Sequence, residues 1–547
     1  MKNFYFLVWV IIAAMVSTGL SAQDYIDDAY PFLNQSSYSP NYGTDVLIQP
    51  NPGEYQAECR VSVASNGWIY ASYMLWSGGL RVARSIDNGQ TWTHTSTLRA
   101  NYTLTALDLV VTGYSANSLK VWVINSGYNS SSIDLWEVSL EELNGDLTNA
   151  GSHSIESMFS NDGYYGVAIA SDYFYPSAGT SPFSLAIIYS KADYVNDKII
   201  FKTSSTGNAV FDNTQVVTTS AKYLTRVALA YGRSYAYPNG NYFAAWHKQQ
   251  YAGWAGEYEG EIYTSFTVSQ YNGTWIAPIR LDNLVESGAG NCKHPAIACQ
   301  VNNTNNLTSG ISTVVLFDRK YNQDPNDKNG VVGAYNLDPH LTPIWSAMTV
   351  ESQLNASSIQ PDVVYDTLQN NFYATWCDST NQSLKCAYQS FNLPSPSGWS
   401  IFYSGYNDNE NLKAPFPRVQ LNAMTQQVVN VWTGAQATNN GNATFDASNI
   451  IIGVTETKVS EKAMQVKLSP NPATDHVLLR FESSSESTGN LRILNQAGQV
   501  ALKVPKFIIM SGQNCLELDV SKLSQGIYFC SLQTDDENIC RKLVIAR

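Results

Sequence analysis

From about residue 55 to about residue 460 one pattern recurs, and it narrows the fold more than any other feature of the chain. A short apolar strand is followed by a turn and then by a second strand that ends on an aromatic residue. The first strands read Arg60-Val-Ser-Val-Ala, Leu107-Asp-Leu-Val-Val, Gly166-Val-Ala-Ile-Ala, Arg226-Val-Ala-Leu-Ala, Pro295-Ala-Ile-Ala, Pro361-Asp-Val-Val-Tyr and Arg418-Val-Gln-Leu. The second strands end on Tyr73, Tyr189, Trp246, Phe317, Trp376 and Trp432; only the second unit has an aliphatic residue, Val123, in that place. Third strands such as Leu80-Arg-Val-Ala-Arg-Ser85 and weaker fourth strands follow. A unit of four short strands that cannot bury both faces alone must stack on its neighbours, and radial stacking makes a β-propeller.

Seven such units are spaced roughly 45 to 70 residues apart. The expected fold is therefore all-β, a seven-bladed β-propeller, with an open sandwich or a ring of six or eight blades as the alternatives. Small residues of the first strands suit the crowded axis, and rings of the second strands fill the wider gaps between blades. The seventh unit runs out after Asn449-Ile-Ile-Ile-Gly-Val454, while Thr44-Asp-Val-Leu-Ile-Gln49 stands upstream as a spare strand. That spare strand is expected to complete the last blade and fasten the ring.

Composition agrees with strands. Only 14% of residues are charged, against 34 Tyr, 13 Trp and 35 Gly, a mixture suited to pleated surfaces and turns. No sustained 3.6-residue apolar period follows the N-terminus, so helices should be scarce. The formal charge of -13 repels a phosphate backbone and argues against nucleic acid as a partner. Met-Lys-Asn, an apolar run from Phe4 to Val16 and small residues up to Ala22 read as a signal peptide over residues 1–22, too short for a persuasive membrane span. Export makes disulfides possible. Of the eight Cys, Cys377 with Cys386, and Cys292 with Cys299, are candidate local pairs, and no spacing suggests zinc.

One segment is sharper than the rest. Ser85-Ile-Asp87-Asn-Gly89-Gln-Thr91-Trp92 resembles the Asp-box, S-x-D-x-G-x-T-W, of sialidases and related propellers. Its chemistry is that of a turn: Ser85 and Asp87 accept from nearby backbone, Gly89 supplies a positive φ and Trp92 packs beneath. The resemblance implies a place between third and fourth strands, on the side away from the active site of that family. It speaks for the fold and leaves catalysis open.

A site is expected where the first strands begin, on the upper face. Arg60, Asp108, Arg226, His294, Asp362 and Arg418 ring the axis there, with Arg60, Arg226 and Arg418 read as equivalent repeat positions. Three converging guanidinium forks would resemble the sialidase carboxylate clamp. Against an enzyme, the Phe/Tyr-Arg-Ile-Pro motif of that family is absent, its place held by Glu58-Cys59-Arg60-Val61, and no nucleophilic Tyr–Glu pair stands out. Trp254-Ala-Gly-Glu257-Tyr-Glu259-Gly-Glu261 puts carboxylates at alternate positions, as acids, calcium ligands or a solvated strand face. Asp318 to Gly330 is rich in oxygen ligands and is the one candidate calcium loop, although Asp-Lys-Asn-Gly is also an ordinary turn. No other cofactor or metal is expected. Trp76, Tyr251 and Trp254 are candidates to stack on sugar rings, Trp76 being equally readable as core.

Past residue 460 the composition changes. Ser469-Pro470-Asn471-Pro472-Ala-Thr-Asp475, Gly498-Gln-Val, Asp519-Val-Ser-Lys-Leu523, Gly526-Ile-Tyr528-Phe and the basic Arg541-Lys542-Leu-Val end punctuate short alternating strands. They read as a small immunoglobulin-like antiparallel β-sandwich over residues 461–547. In that order they resemble the C-terminal sorting domain of type IX secretion cargo of Bacteroidota. The resemblance implies passage through the periplasm, recognition of the tail by the type IX machinery, and release or attachment at the cell surface. The expected protein is thus a signal peptide, a propeller over residues 23–460 and a sorting domain. Its expected role is to bind carbohydrate or an extracellular protein, with no transmembrane segment in the mature chain. The alternatives are a sialidase-like or other glycan-active hydrolase and a structural or adhesion protein.

Overall fold

The computed structural model describes residues 45–49, 55–113, 118–159, 164–172, 184–192, 196–221, 223–234, 236–249, 259–268, 273–285, 291–301, 310–320, 328–351, 357–367, 371–381, 383–390, 399–402, 416–425, 427–435, 441–448, 466–483, 487–495, 500–534 and 538–546. The expected signal peptide lies outside them. The chain divides into two compact units, Met1–Ile450 and Ile451–Arg547.

In the first unit the described residues form seven antiparallel sets of four strands. Sheet A holds Gln56–Val63, Ile69–Leu75, Leu80–Ser85 and Thr93–His94. Sheet B runs from Tyr102–Thr112 to Asn149–Phe159, and sheet C from Tyr164–Ser171 to Asn213–Ser220. Sheet D runs from Leu224–Gly232 to Ile279–Arg280, and sheet E from Cys292–Cys299 to Ser346–Glu351, the two touching through the single pair Gly260 and Cys292. Sheet F runs from Ser358–Asp366 to Ser400–Phe402. Sheet G holds Arg418–Asn422, Gln427–Ala435 and Gly441–Ala447, and its fourth strand is Val46–Leu47 from the far end of the chain. The spare upstream strand therefore closes the ring. Each first strand lies against the first strand of the next sheet, and that of sheet G lies against that of sheet A. This is a β-propeller.

Its core is divided into layers between neighbouring sheets. Val429, Val431 and Phe445 of sheet G pack on Ile69, Ala71 and Tyr73 of sheet A, and Trp136 and Ile124 of sheet B pack on Ile187 and Tyr189 of sheet C. Small residues line the inner strands, among them Ala168, Ala170, Ala296 and Ala298. The second-strand rings, Tyr73, Tyr189, Trp246, Phe317, Trp376 and Trp432, are all buried. Three of them also reach a polar group on the outermost strand, or strand end, of the preceding sheet: Tyr73 bonds Gln49, Tyr189 bonds Glu156 and the Trp376 indole donates to Glu351. A ring with a polar tip fills the gap and ties the two sheets together.

The cysteines correct the expected pairs. Cys292, Cys299 and Cys377 are buried free thiols. Cys292 and Cys299 end one extended strand, which holds them about 23 Å apart at 3.3 Å per residue. Cys386 faces Thr375 while Cys377 faces Leu384, so the two cysteines are diagonal neighbours, about 7–8 Å apart and beyond disulfide reach. Both pack with Trp432 as small apolar residues.

The second unit is a sandwich of two antiparallel sheets. One holds Lys467–Ser469, His476–Ser483 and Gly512–Asp519, and the other Val500–Ile509, Ser487–Asn495, Gly526–Thr534 and Asn538–Ile545. Val477, Leu479, Leu491, Ile493, Leu532 and Leu543, each buried, make the core between them. Among the described residues the only helix is the single turn Asp282–Val285, and no helix is long and apolar enough to cross a membrane.

Candidate functional site

A cavity of about 360 Å³ lies among the first strands of all seven sheets. Its walls are mostly aliphatic, with Val61, Leu109, Ile169, Ala228 and Val363, and Arg60, Asp108, Asp362 and Arg418 line its mouth. The mouth is built by a repeated backbone irregularity. The register between first and second strand slips after Ala57, Lys293 and Ile359, and Glu58, His294 and Gln360 in those slips have φ of 40°, 50° and 57°. Phe416, two residues before Arg418, has φ 43°. Left-handed backbone at a residue other than glycine costs on the order of 1–3 kcal/mol, and such strain clusters at functional sites. Here it repeats around one rim.

The side chains on that rim are matched in charge. Glu58 meets Arg60 at 3.3 Å and, from across the opening, Arg226 at 3.3 Å. Arg60 also lies 3.7 Å from Asp108, and Arg418 lies 3.8 Å from Asp362. Asp108 accepts the Ile169 amide at 2.9 Å, and Asp362 accepts the Val419 amide at 2.9 Å. His294 Nδ1 is 2.7 Å from Asp318, whose same oxygen accepts the Gln360 amide. The Arg226 guanidinium lies 4.9 Å from the Phe416 ring centre, and the His294 ring meets Phe416 edge-on at 6.0 Å.

Burial and charge set the protonation of these groups. Burial raises the Glu58 carboxyl, but Arg226, Arg60 and Arg418 outweigh it and hold the group below the usual carboxylate range. Asp108 moves the other way, burial prevailing over Arg60 and two backbone donors. Burial keeps the His294 imidazole below its ordinary value despite Asp318. Burial and the nearby Arg60 bring the Arg418 guanidinium down to about 10.

Several sequence readings change here. Arg60 faces Ser72, Asp362 faces Thr375 and Arg418 faces Val431, each one residue before the second-strand ring, so these three are equivalent. Arg226 is not: Ala228 holds the equivalent place in sheet D, and Arg226 stands two residues earlier, level with Glu58. The register slip in sheet D hides that offset from the sequence. The oxygen-rich segment after Asp318 loses its first ligand, because Asp318 is buried and engaged by His294 and Gln360; Asp324 and Asp327 lie outside the described residues. Glu259 pairs with Lys293, and Glu261 with Lys248 and Arg280, so these carboxylates form a salt-bridged strand face. Trp254, Glu257 and Tyr251 lie outside the described residues. Among the described residues no group of three or more His, Cys, Asp or Glu is placed to hold a metal ion. Trp76, readable as core, is 80% exposed.

Glu58, Gln360 and Phe416 were not singled out as site residues from sequence. A usable signal existed in His294-Pro295, Gln360-Pro361 and Phe416-Pro417, three rim residues each followed by proline at the start of an inner strand. Proline has no amide to leave unpaired in a bulge.

The segment 85–92 joins the third and fourth strands of sheet A. Ser85 Oγ donates to Asp87 at 2.8 Å and accepts the Gly89 amide at 2.7 Å, while Asp87 accepts the Thr91 amide at 2.9 Å. Gly89 has φ 89°, and a Cβ there would run into the Phe445 ring of sheet G. Trp92 donates to the Gly89 carbonyl and meets Phe445 edge-on. This turn fastens sheet A to sheet G.

In the second unit, pieces far apart in sequence come together. Asn471, between Pro470 and Pro472, donates to the Lys542 carbonyl at 2.8 Å and accepts the Val544 amide at 2.8 Å, so its side chain pairs with the last strand. The Ala473 amide continues the ladder to Val544. Tyr528 donates to the Ser524 carbonyl beside Gly526, whereas Gly498 lies outside the described residues.

Residues 467–546 match the secretion system C-terminal sorting domain family. The tail is a type IX secretion sorting domain, and the protein is secreted or attached at the cell surface. No curated protein matches it. Among solved structures it is similar to the BP39L lectin of Burkholderia pseudomallei, at 10% identity and a TM-score of 0.46 over 73% of this chain and 99% of that one. It is similar also to the polysaccharide lyase Uly1, at 10% identity and a TM-score of 0.41 over 79% and 96%. The intramolecular trans-sialidase of Ruminococcus gnavus follows at 10% identity and 0.37, over 72% and 94%. Likenesses this distant assign this chain no ligand or activity.

The sorting domain yields a local prediction. Asn471→Ala removes both bonds to the last strand and costs about 1 kcal/mol, the side chain being exposed. Hydrogen exchange checks it: the Val544 amide exchanges faster in the variant, and amides of the central Leu491–Leu532 pair are unchanged.

Proposed function

We propose that the propeller is a lectin-like module that binds a neutral saccharide at the mouth of its central cavity, displayed outside the cell by its sorting domain. The observation that carries this reading is the charge matching of the rim. Each of the three arginines already has a carboxylate, and Glu58 lies between Arg60 and Arg226 where a ligand carboxylate would have to bind. Fixed, partly buried carboxylates and guanidiniums accept from and donate to sugar hydroxyls without needing a charged ligand. Phe416 adds an apolar ring to the same rim.

Hydrolysis of a glycan is the second reading, and one observation favours it. Asp108 is pushed toward its protonated form, as a general acid requires, on the same rim as the ionised Glu58.

Both readings meet in one experiment. The full exported chain is applied to an array of neutral and acidic glycans and incubated with fluorogenic neutral glycosides and a fluorogenic sialoside. Selective retention of neutral glycans without turnover supports the lectin-like reading. Turnover that disappears in Asp108→Asn replaces it with the hydrolase, and retention of acidic glycans alone contradicts it.

A further inference from the structure

The tryptophan at position 76 closes the second strand of sheet A at the turn into the third. It is 80% exposed, although a side chain of this size gains more from burial than any other. It is nevertheless held in place. Its amide donates to the Tyr55 carbonyl at 3.0 Å, and the Tyr55 ring, itself 39% exposed, stands 5.5 Å away at an interplanar angle of 77°. The turn behind it is fixed on both sides. The Gly78 amide donates to Leu75, the Leu75 amide to Gly79, and the Gly79 amide to Tyr102. Gly78 and Gly79 have φ of 104° and 80°, and a Cβ on Gly79 would strike the Leu98 carbonyl at 2.3 Å. Two exposed rings at nearly a right angle, on a turn that cannot give way, make a rigid corner.

We propose that Tyr55 and Trp76 form a saccharide-stacking subsite, which takes a second ring of the glycan whose first ring occupies the mouth; this rests on the neutral-saccharide reading above. The place fits. Gln56 pairs with Leu75, so both rings stand at the end of the sheet where the inner strand begins. Glu58 is three residues along the chain from Tyr55, so their Cα atoms lie at most about 11 Å apart. The surroundings fit a sugar better than a protein. Protein hot spots lie inside larger apolar patches, whereas the turn beside Trp76 is Ser77, Gly78 and Gly79, and the segment packed on it carries the exposed Asn101. A pyranose offers an apolar C–H face to an aromatic ring and hydroxyls around its edge to polar neighbours.

The test uses the full exported chain and a fixed set of probes: cellohexaose, mannohexaose and chitohexaose, each with its monosaccharide, titrated by calorimetry. The variants are Trp76→Ala, Tyr55→Ala and, at the mouth, Asp362→Asn. The expected result is that Trp76→Ala weakens binding of the preferred hexasaccharide roughly tenfold or more, as loss of a tryptophan anchor does, and leaves its monosaccharide unchanged. Asp362→Asn weakens both. Hexasaccharide binding undiminished in Trp76→Ala and Tyr55→Ala overturns the subsite while leaving the mouth standing. Binding lost in Trp76→Ala but indifferent to Asp362→Asn keeps the corner as a saccharide site and overturns the mouth. If the wild-type chain binds none of the probes, both are overturned.

Discussion

Glu58→Ala destabilises the propeller by about 3–5 kcal/mol at neutral pH, because it removes a carboxylate shared by two partly buried guanidiniums and takes from Arg226 its carboxylate partner. Arg60 keeps Asp108 at 3.7 Å, but Arg226 is left with the face of Phe416. Urea unfolding measures the loss. Its pH dependence has a definite sign. Glu58 is held below its ordinary value of 4.5, so its contribution is fully present above that value and is lost as pH falls through the lower folded one. The gap between wild type and variant therefore closes in acid. A small carboxylate such as acetate restores stability to Glu58→Ala by occupying the vacated place, and has no such effect on the wild type. An equal response of both proteins to acetate would mean that Glu58 does not stand in for a ligand carboxylate.

Glu351→Ala is expected to cost about 3–5 kcal/mol as well, through a different route. Glu351 ends the outermost strand of sheet E and is buried. One of its oxygens accepts the Trp376 indole at 2.6 Å and the Ser358 hydroxyl at 2.6 Å, and the other meets Lys385 at 2.5 Å. Removing it leaves an indole donor without its acceptor in the core and takes from Lys385 the closer of two carboxylates, Asp378 standing at 3.1 Å. Trp376→Phe loses one bond and leaves a small cavity where the larger indole was, so about 2–3 kcal/mol is expected there. Thermal unfolding of the two variants checks the order: a larger loss for Trp376→Phe than for Glu351→Ala would move the weight from the ion pair to the ring.

Much of the fold was legible because its signals are local. Strand alternation, small residues near the axis and a ring at six of the seven second-strand ends are written in consecutive residues, and so is the closing strand around Val46. The tail was legible for the same reason, as five short pieces in order. What the sequence hid is register. A one-residue slip moves a side chain from one face to the other, and the slips at the inner strands displaced Arg226 from the row of Arg60 and Arg418. Charge matching was hidden too, because Glu58 and Arg226 are 168 residues apart and meet only when the ring closes. Trp76 was ambiguous because a tryptophan after an apolar strand reads as core until the turn behind it is known.

On the proposed reading the rim takes a neutral saccharide and Glu58 keeps anionic ones out. The measurement that tests it most directly is a comparison of one glycan with and without its terminal sialic acid, bound to the wild-type chain and to Glu58→Gln. Wild type is expected to prefer the neutral form, and Glu58→Gln, which removes the carboxylate that pairs Arg226 and competes for Arg60, to shift the preference toward the sialylated one. A wild-type chain that prefers the sialylated glycan, with a preference unmoved by Glu58→Gln, would contradict it.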